Sequence, residues 1–223
     1  MDFMPIFCDL KGKLCLIAGG GNIAAHKARL LLKAQAQLII ISPNFNDQLL
    51  ELAPNPDVTL VQDYFHEKWL AKCWLAVAAT DDPQVNQEIY ASATERQIFC
   101  NVIDDAQRTS FITPAVIDQS PILIALTTGG NAPVLSQLLR KEIESTLSSS
   151  ANGTLATLAG YLRQRIKNHF PDTDNKRKFW LSFFTDPMLI AAVKHQDTLA
   201  IGWHINRLMR EAEEITSQNV YSA

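Results

Sequence analysis

The chain has 223 residues, 47% of them apolar and 19% charged, with a net charge of −3. That composition describes a globular protein able to build its own core, and the slightly acidic balance speaks against general nucleic-acid binding, which leaves a basic footprint. No apolar run approaches the ~18–20 residues of a membrane span, and Met1-Asp2-Phe3-Met4-Pro5 lacks the basic-then-apolar order of a secretory signal, so the chain reads as soluble and cytoplasmic.

The first predicted strand, around Leu14–Ala18, runs into Gly19-Gly20-Gly21 and directly on into a helix that opens at Asn22. The spacing G-x-G-x-x-A places Gly19 at a sharp turn, Gly21 where backbone must approach a pyrophosphate, and Ala24 where helix packs on strand. A glycine-rich turn alone is a weak signal; the strand before it and the helix after it are the context that a dinucleotide site requires. Asn22 and Ile23 then present free backbone N–H groups at the positive end of the helix dipole.

Gln37–Ser42 is an almost unbroken apolar run, as suits a strand covered on both faces of a parallel sheet, and Pro43-Asn44 closes it. Strands are predicted again at Val58–Val61, Trp74–Ala79 and Gln97–Ile103, with a helix between the last two that starts at Pro83 and is capped by Asp81 or Asp82. Strands alternating with helices at this spacing make β-α-β units, and residues 1–113 therefore read as a doubly wound parallel α/β domain of the Rossmann kind. The pattern then changes. Strands at Ser110–Asp118 and Pro121–Thr127 are joined too tightly for a parallel crossover, so they pair antiparallel or exchange with another chain. The small-residue loop Thr127–Pro133 feeds a helix over residues 134–147, and residues 148–153 read as a flexible joint. Amphipathic helices fill residues 155–169, 175–184, 187–195 and 197–214, a small bundle, with a loose tail after residue 216.

In an open parallel sheet, ligands bind beyond the carboxyl ends of the strands, which singles out the polar residues there. These are Gly19–Ile23, Ser42-Pro43-Asn44, Thr80-Asp81-Asp82, Asn101 with Asp104-Asp105, and Thr127-Thr128-Gly129-Gly130. The acidic residue that usually holds the ribose about 20 positions after the glycines is missing, so that contact falls to the Ser42-Pro43-Asn44 segment, its side chains or its backbone. No basic residue stands there for a 2′-phosphate, which favours NAD over NADP. Asp104 is the best candidate for acid–base work, because partial burial or its neighbour Asp105 would raise its pKa. Arg29, Arg108 and Arg140 are the basic residues available for an anionic substrate. The four cysteines form no C-x-x-C pair and the five histidines no ligand spacing, so no preformed metal site is expected.

Several stretches in fixed order resemble one family. They are Met1–Cys8, Ala18–Gly21, Lys27–Leu32, Ala78–Asp82, Phe99–Val102, Ser110–Ile112 and Gly129–Leu135, with Lys178–Trp180 and Phe183-Phe184 further on. Together they resemble the amino-terminal module of siroheme synthase, a precorrin-2 dehydrogenase and sirohydrochlorin ferrochelatase. The resemblance implies an NAD-binding Rossmann domain over 1–113, a strand-exchanged dimerisation region over 114–150, a small helical domain over 151–215 and a tail over 216–223. It implies a homodimer acting on a tetrapyrrole, with NAD+ as hydride acceptor and Fe2+ as a substrate of the second step.

The family's acid–base aspartate falls on Asp104, which is also the one possible transient metal contact. Its cofactor contacts fall on Asn22-Ile23 and Pro43-Asn44, beside Gly19, Gly21, Thr80 and Asp81. A serine used near the tetrapyrrole matches Thr128, grouped with Asn101, Gly129 and Gly130, and Arg29, Arg108 and Arg140 supply the basic rim. Asn22 departs from the pattern, standing where a carboxylate is common. The methyltransferase carried by fused siroheme synthases has no counterpart after residue 215, so uroporphyrinogen methylation is not expected. Two other readings compete: a dehydrogenase without chelatase activity, and an NAD(H)-sensing module that uses the same fold without chemistry.

Overall fold

The computed structural model describes residues 3–105, 107–148 and 150–220, with side chains described up to Glu213; Met1, Asp2, Ala106, Ser149 and Tyr221–Ala223 lie outside the described residues. The chain divides into two compact units, Met1–Thr113 and Pro114–Ala223.

The first unit is built on five parallel strands, β1 (Leu14–Ala18), β2 (Gln37–Ile41), β3 (Val58–Val61), β4 (Leu75–Ala78) and β5 (Phe99–Val102), in the order β3-β2-β1-β4-β5. Helix α1 (Asn22–Lys33) connects β1 to β2, and α3 (Pro83–Glu95) connects β4 to β5. Because strand side chains alternate, each apolar run covers both faces. Cys15, Ile17, Leu38, Ile40, Leu75 and Val77 meet Ala24, Ala25, Ala28 and Leu31 of α1. Leu16, Ala18, Ile41, Ala76, Ala78, Cys100 and Val102 meet Ile89 and Ala93 of α3. The three alanines of α1 let helix lie close on sheet. Two short elements escape the predicted pattern: α2 (Asp47–Leu50) and a 3-10 turn at Glu67–Leu70.

Strand order reverses between β1 and β4, since the chain leaves β1 towards β2 and leaves β4 towards β5. That switch point opens a crevice at the carboxyl ends of the strands, and the glycine loop and the loops after β4 and β5 stand at those ends.

In the second unit, β6 (Ala115–Gln119) and β7 (Ile122–Leu126) pair antiparallel, as one of the two predicted arrangements. Helix α4 (Pro133–Ser148) packs on β6. Helix α5 (Asn152–His169) begins four positions after α4 ends. Helices α6 (Thr173–Thr185), α7 (Pro187–Lys194) and α8 (Thr198–Val220) complete it; α8 continues past the predicted end at residue 214 into the stretch expected to be a tail. The bundle core is Leu155, Ile166, Phe170, Phe179, Phe183 and Leu189, with the Phe179 and Trp180 rings edge-on at 5.0 Å.

Candidate active site

Four loops build the site, one each after β1, β2, β4 and β5. The glycine loop is fixed by the protein's own packing. Gly19 has φ +136°, and its amide donates to the Ile41 carbonyl at 2.8 Å. A side chain on Gly19 would overlap the Ala79 carbonyl, and one on Gly20 would overlap the Asn44 carbonyl and the Ser42 hydroxyl. Gly20 is thus the residue over which the β2 loop closes, a role the G-x-G-x-x-A spacing does not reveal. Asn46 completes the closure. Its amide donates to the Gly20 carbonyl at 2.9 Å, its side-chain NH2 donates to Asn22 Oδ1 at 2.8 Å, and its own Oδ1 caps α2 by accepting from Leu49 N at 3.0 Å.

Gly21 differs from its two neighbours. It is the N-cap of α1, and a Cβ there would meet nothing within 4 Å. No side chain caps this helix and its first turn carries no acidic residue, so the leading N–H groups and the dipole face open space. Those features fit the pyrophosphate of a dinucleotide. Ile23 is exposed beside them, as are Pro43 and Asn44 across the loop. Pro43 offers its carbonyl to the Gln62 side-chain amide at 3.0 Å, which leaves the Asn44 side chain as the available polar group of that pair.

After β4, Asn86 organises the loop. Its Oδ1 accepts from the Thr80 hydroxyl at 2.8 Å and the Thr80 amide at 3.2 Å, and its NH2 donates to the Thr80 carbonyl at 3.0 Å. Asp82, not Asp81, caps α3 by accepting from Gln84 N and Val85 N. Asp81 is left exposed. Asn86 was not among the sequence candidates; its position four residues into a Pro-initiated helix is the signal that could have marked it.

After β5, Asp104 stands in the left-handed region at φ +58° and is exposed. The partial burial expected for it is absent in this unit. Among the described residues no hydrogen bond or ion pair engages its carboxylate. Asp105 is bound up instead. It accepts from the amides of Gln107 and Arg108 at 3.0 Å each and from the Arg108 guanidinium at 2.8 Å. Desolvation pushes the Asp105 carboxyl up, but the Arg108 amide and guanidinium and the Gln107 amide together hold it below its usual range. Asp104, Asp105 and Arg108 line a cleft of about 300 Å³ with Thr80, Asp81 and Asn86.

The structure brings together Thr80, Asp81, Asp104 and Arg108 of the predicted residues, and sets the glycine loop against the neighbouring strand. Others are placed differently. Arg29 does not line the cleft: it donates to Gln48 at 2.8 Å and lies 3.9 Å from Glu51, held by the short α2 that the sequence reading lacked. On the opposite flank of α1, Lys27 is half-buried, and desolvation lowers its pKa. Asn101 is buried, with its NH2 donated to Thr109 Oγ1 and the Phe111 carbonyl. Thr128, Gly129, Gly130 and Arg140 lie in the second unit. There the Thr128 hydroxyl accepts from Ala132 N at 3.1 Å ahead of α4 and lies 3.1 Å from Ser136 Oγ, while both glycines turn through positive φ. Arg140 pairs with Glu144 at 3.5 Å, one turn along α4.

Burial pushes the thiols of Cys15 and Cys100 up to about 12 and that of Cys73 to about 11, with Cys73 adding to the effect on Cys15. None of the three is a nucleophile at neutral pH. Among the described residues no three His, Cys, Asp or Glu side chains gather into a metal-holding group, and no helix is long and apolar enough to cross a membrane.

Residues 6–115 match the family model described as "Putative NAD(P)-binding", residues 120–146 the "Sirohaem biosynthesis protein central" model, and residues 151–208 the "Sirohaem synthase dimerisation region". The dimerisation model spans α5 to α7 and the first half of α8. The chain is 44% identical over 208 residues to siroheme synthase 2 of Yersinia enterocolitica, covering 93% of this chain and 44% of that protein. It is 46% identical over 197 residues to siroheme synthase 2 of Pectobacterium atrosepticum (88% and 43%), and 44% identical over 211 residues to siroheme synthase of Salmonella paratyphi A (95% and 46%). The chain spans less than half the length of these curated relatives. Among solved structures, SirC, precorrin-2 dehydrogenase, shares the fold with a TM-score of 0.71 at 17% identity, over 95% of this chain and 100% of that one. The matched models run in order along the chain, and it belongs to the siroheme synthase family, carrying that family's NAD(P)-binding, central and dimerisation regions.

Proposed function

We propose that the chain oxidises precorrin-2 to sirohydrochlorin with NAD+, and that the same cleft then serves insertion of ferrous iron, a substrate, to give siroheme. The observation that carries this reading is the grouping of the Asp104 carboxylate, unpaired among the described residues, with Arg108, Thr80 and Asp81 in one cleft of the unit that presents the uncapped start of α1. Relatives named siroheme synthase, at 44–46% identity, and the fold shared with a precorrin-2 dehydrogenase support it.

The start of α1, Gly21 and the Pro43-Asn44 loop would hold the dinucleotide, which supplies a hydride acceptor when bound. No basic side chain stands between Ser42 and Asn46 to meet a 2′-phosphate, which favours NAD+ over NADP+. Asp104 takes the proton that leaves as the substrate is oxidised. Nothing in its surroundings has to be broken first, because its carboxylate has no partner among the described residues. Arg108 presents a guanidinium fork suited to one of the carboxylates of the tetrapyrrole, and its bond to Asp105 sets the direction of that fork. In the second step the pyrrole nitrogens lose two protons as iron enters, and the same carboxylate is placed to accept them in turn. An oxygen donor of this kind holds ferrous iron loosely enough to release it, as a metal substrate requires.

A homodimer completes the reading. Leu123 on β7 and Val134, Leu135 and Leu138 on α4 are exposed apolar residues, a surface suited to a second copy. The decisive experiment mixes the chain with NAD+ and anaerobic precorrin-2 and follows the absorbance of sirohydrochlorin, then adds Fe2+ and compares metallation with the uncatalysed rate. Sirohydrochlorin without faster metallation leaves a dehydrogenase alone. NAD+ binding with no oxidation at all contradicts the enzyme reading and favours a sensor.

A further inference from the structure

The loop that carries Asp104 is closed by a polar clamp at its neck. The chain leaves the sheet after Val102 and returns at Thr109, which forms an antiparallel bridge with Asn101. Three side chains make the closure. The Asn101 NH2 donates to Thr109 Oγ1 at 2.9 Å and to the Phe111 carbonyl at 3.0 Å; because a carbonyl can only accept, the orientation of this amide is fixed. The Thr109 hydroxyl in turn donates to the same Phe111 carbonyl at 3.0 Å. Ser110 holds the backbone of the preceding strand residue: its hydroxyl accepts from Cys100 N at 2.7 Å, and its amide donates to the Cys100 carbonyl at 2.8 Å.

Within the loop, Asp104 holds φ +58°, a conformation that a non-glycine residue keeps only where its surroundings over-determine it. Next to it, Asp105 gathers two amides and the Arg108 guanidinium. Asp104 and Arg108, two of the charged residues that line the cleft, are thus suspended between β5 and the clamp. We propose that Asn101, Thr109 and Ser110 are positioning residues: they fix the Asp104 carboxylate and the Arg108 fork relative to β5, so that the rate of proton transfer depends on them while cofactor binding does not. The inference rests on the reading that Asp104 takes the substrate proton. It also gives Asn101 a role other than the direct substrate contact expected from sequence.

The test uses Thr109→Val, which keeps the shape and removes the hydroxyl, and Thr109→Ser, which restores it. Misplacing a reacting group by about 1 Å costs on the order of 100-fold in rate, and a partial release of the clamp should lower kcat by at least ~10-fold in Thr109→Val. The Kd for NAD+ should stay within about twofold, since the glycine loop that would hold the cofactor makes no bond to the clamp. Thr109→Ser should recover most of the lost kcat. Amide hydrogen exchange at Gln107 and Arg108 should quicken in Thr109→Val and not in Thr109→Ser. An unchanged kcat in Thr109→Val overturns the proposal, and so does a loss of NAD+ affinity that matches the loss of kcat. Should the unaltered chain oxidise no precorrin-2, the reading of Asp104 fails by itself; hydrogen exchange then still decides the clamp, and unchanged protection in Thr109→Val overturns it.

Discussion

The Thr80 hydroxyl lies 2.8 Å from Asn86 Oδ1, and the Asn86 NH2 returns a bond of 3.0 Å to the Thr80 carbonyl. This reciprocal pair shuts the turn between β4 and α3, leaving Asp82 to cap the helix and Asp81 to face the cleft. Replacing Asn86 with alanine removes three bonds and leaves the Thr80 amide and carbonyl without partners. The expected loss is about 1–3 kcal/mol of stability. For a chain of this size each kcal/mol lowers Tm by roughly 2–4 °C. Affinity for NAD+ should fall with it if this turn borders the dinucleotide, measured by calorimetric titration beside a thermal melt. Unchanged affinity with a lowered Tm would make Asn86 purely structural.

Gly20 and Gly21 should separate packing from ligand binding. A Cβ on Gly20 runs into the Asn44 carbonyl and the Ser42 hydroxyl, so Gly20→Ala should destabilise the first unit by at least ~1–3 kcal/mol, as overpacking does. A Cβ on Gly21 meets no protein atom. Gly21→Ala should therefore melt close to the unaltered chain yet bind NAD+ at least ~10-fold more weakly, because the added methyl occupies the space in which backbone approaches a pyrophosphate. Equal NAD+ binding by Gly21→Ala would move the pyrophosphate elsewhere.

Acid should weaken the helical unit through Asp186. This residue caps α7 by accepting from Leu189 N at 2.7 Å and receives the Arg207 guanidinium at 2.6 Å. Desolvation raises its pKa, but the Leu189 amide and Arg207 outweigh that and hold it below the usual range. With the folded value below the unfolded value of about 3.9, its stabilisation is complete above that pH and is lost as pH falls through the folded value. Asp186→Asn should cost about 1–3 kcal/mol at neutral pH and lose less on acidification than the unaltered chain. Melts followed by circular dichroism at pH 7 and at pH 3 measure both effects; an identical acid drop in the two proteins would remove Asp186 from the account.

Long periodic elements were legible in the sequence because burial on both sheet faces writes itself as apolar runs, such as Leu38–Ile41, and because Gly19-Gly20-Gly21 sits between strand and helix. Short elements were not. The four residues of α2 carry no period, and without them Arg29 reads as a free cation when Gln48 and Glu51 hold it. Arg140 and Glu144, by contrast, stand at helical i, i+4 spacing, and that pair was there to be read. Asn101 was singled out because it is polar at a strand end; the partners of its NH2, Thr109 and Phe111, come from a return of the chain that no local pattern announces. Asp104 was singled out by its position after a strand, but its exposure and its left-handed backbone depend on how the loop closes.

Asp104→Asn is the most direct test of the central claim, that this carboxylate receives the substrate proton. Asparagine tolerates the left-handed backbone better than alanine does and keeps the size of the side chain, so the loop at φ +58° should stand unchanged. Loss of a general base typically costs about 10²–10⁴ in rate. The measurement is a single turnover of anaerobic precorrin-2 by the NAD+-saturated variant, read as sirohydrochlorin formed. A rate at least ~100-fold below that of the unaltered chain, with NAD+ affinity held within about twofold, is the predicted result. Sirohydrochlorin appearing at the unaltered rate would contradict it.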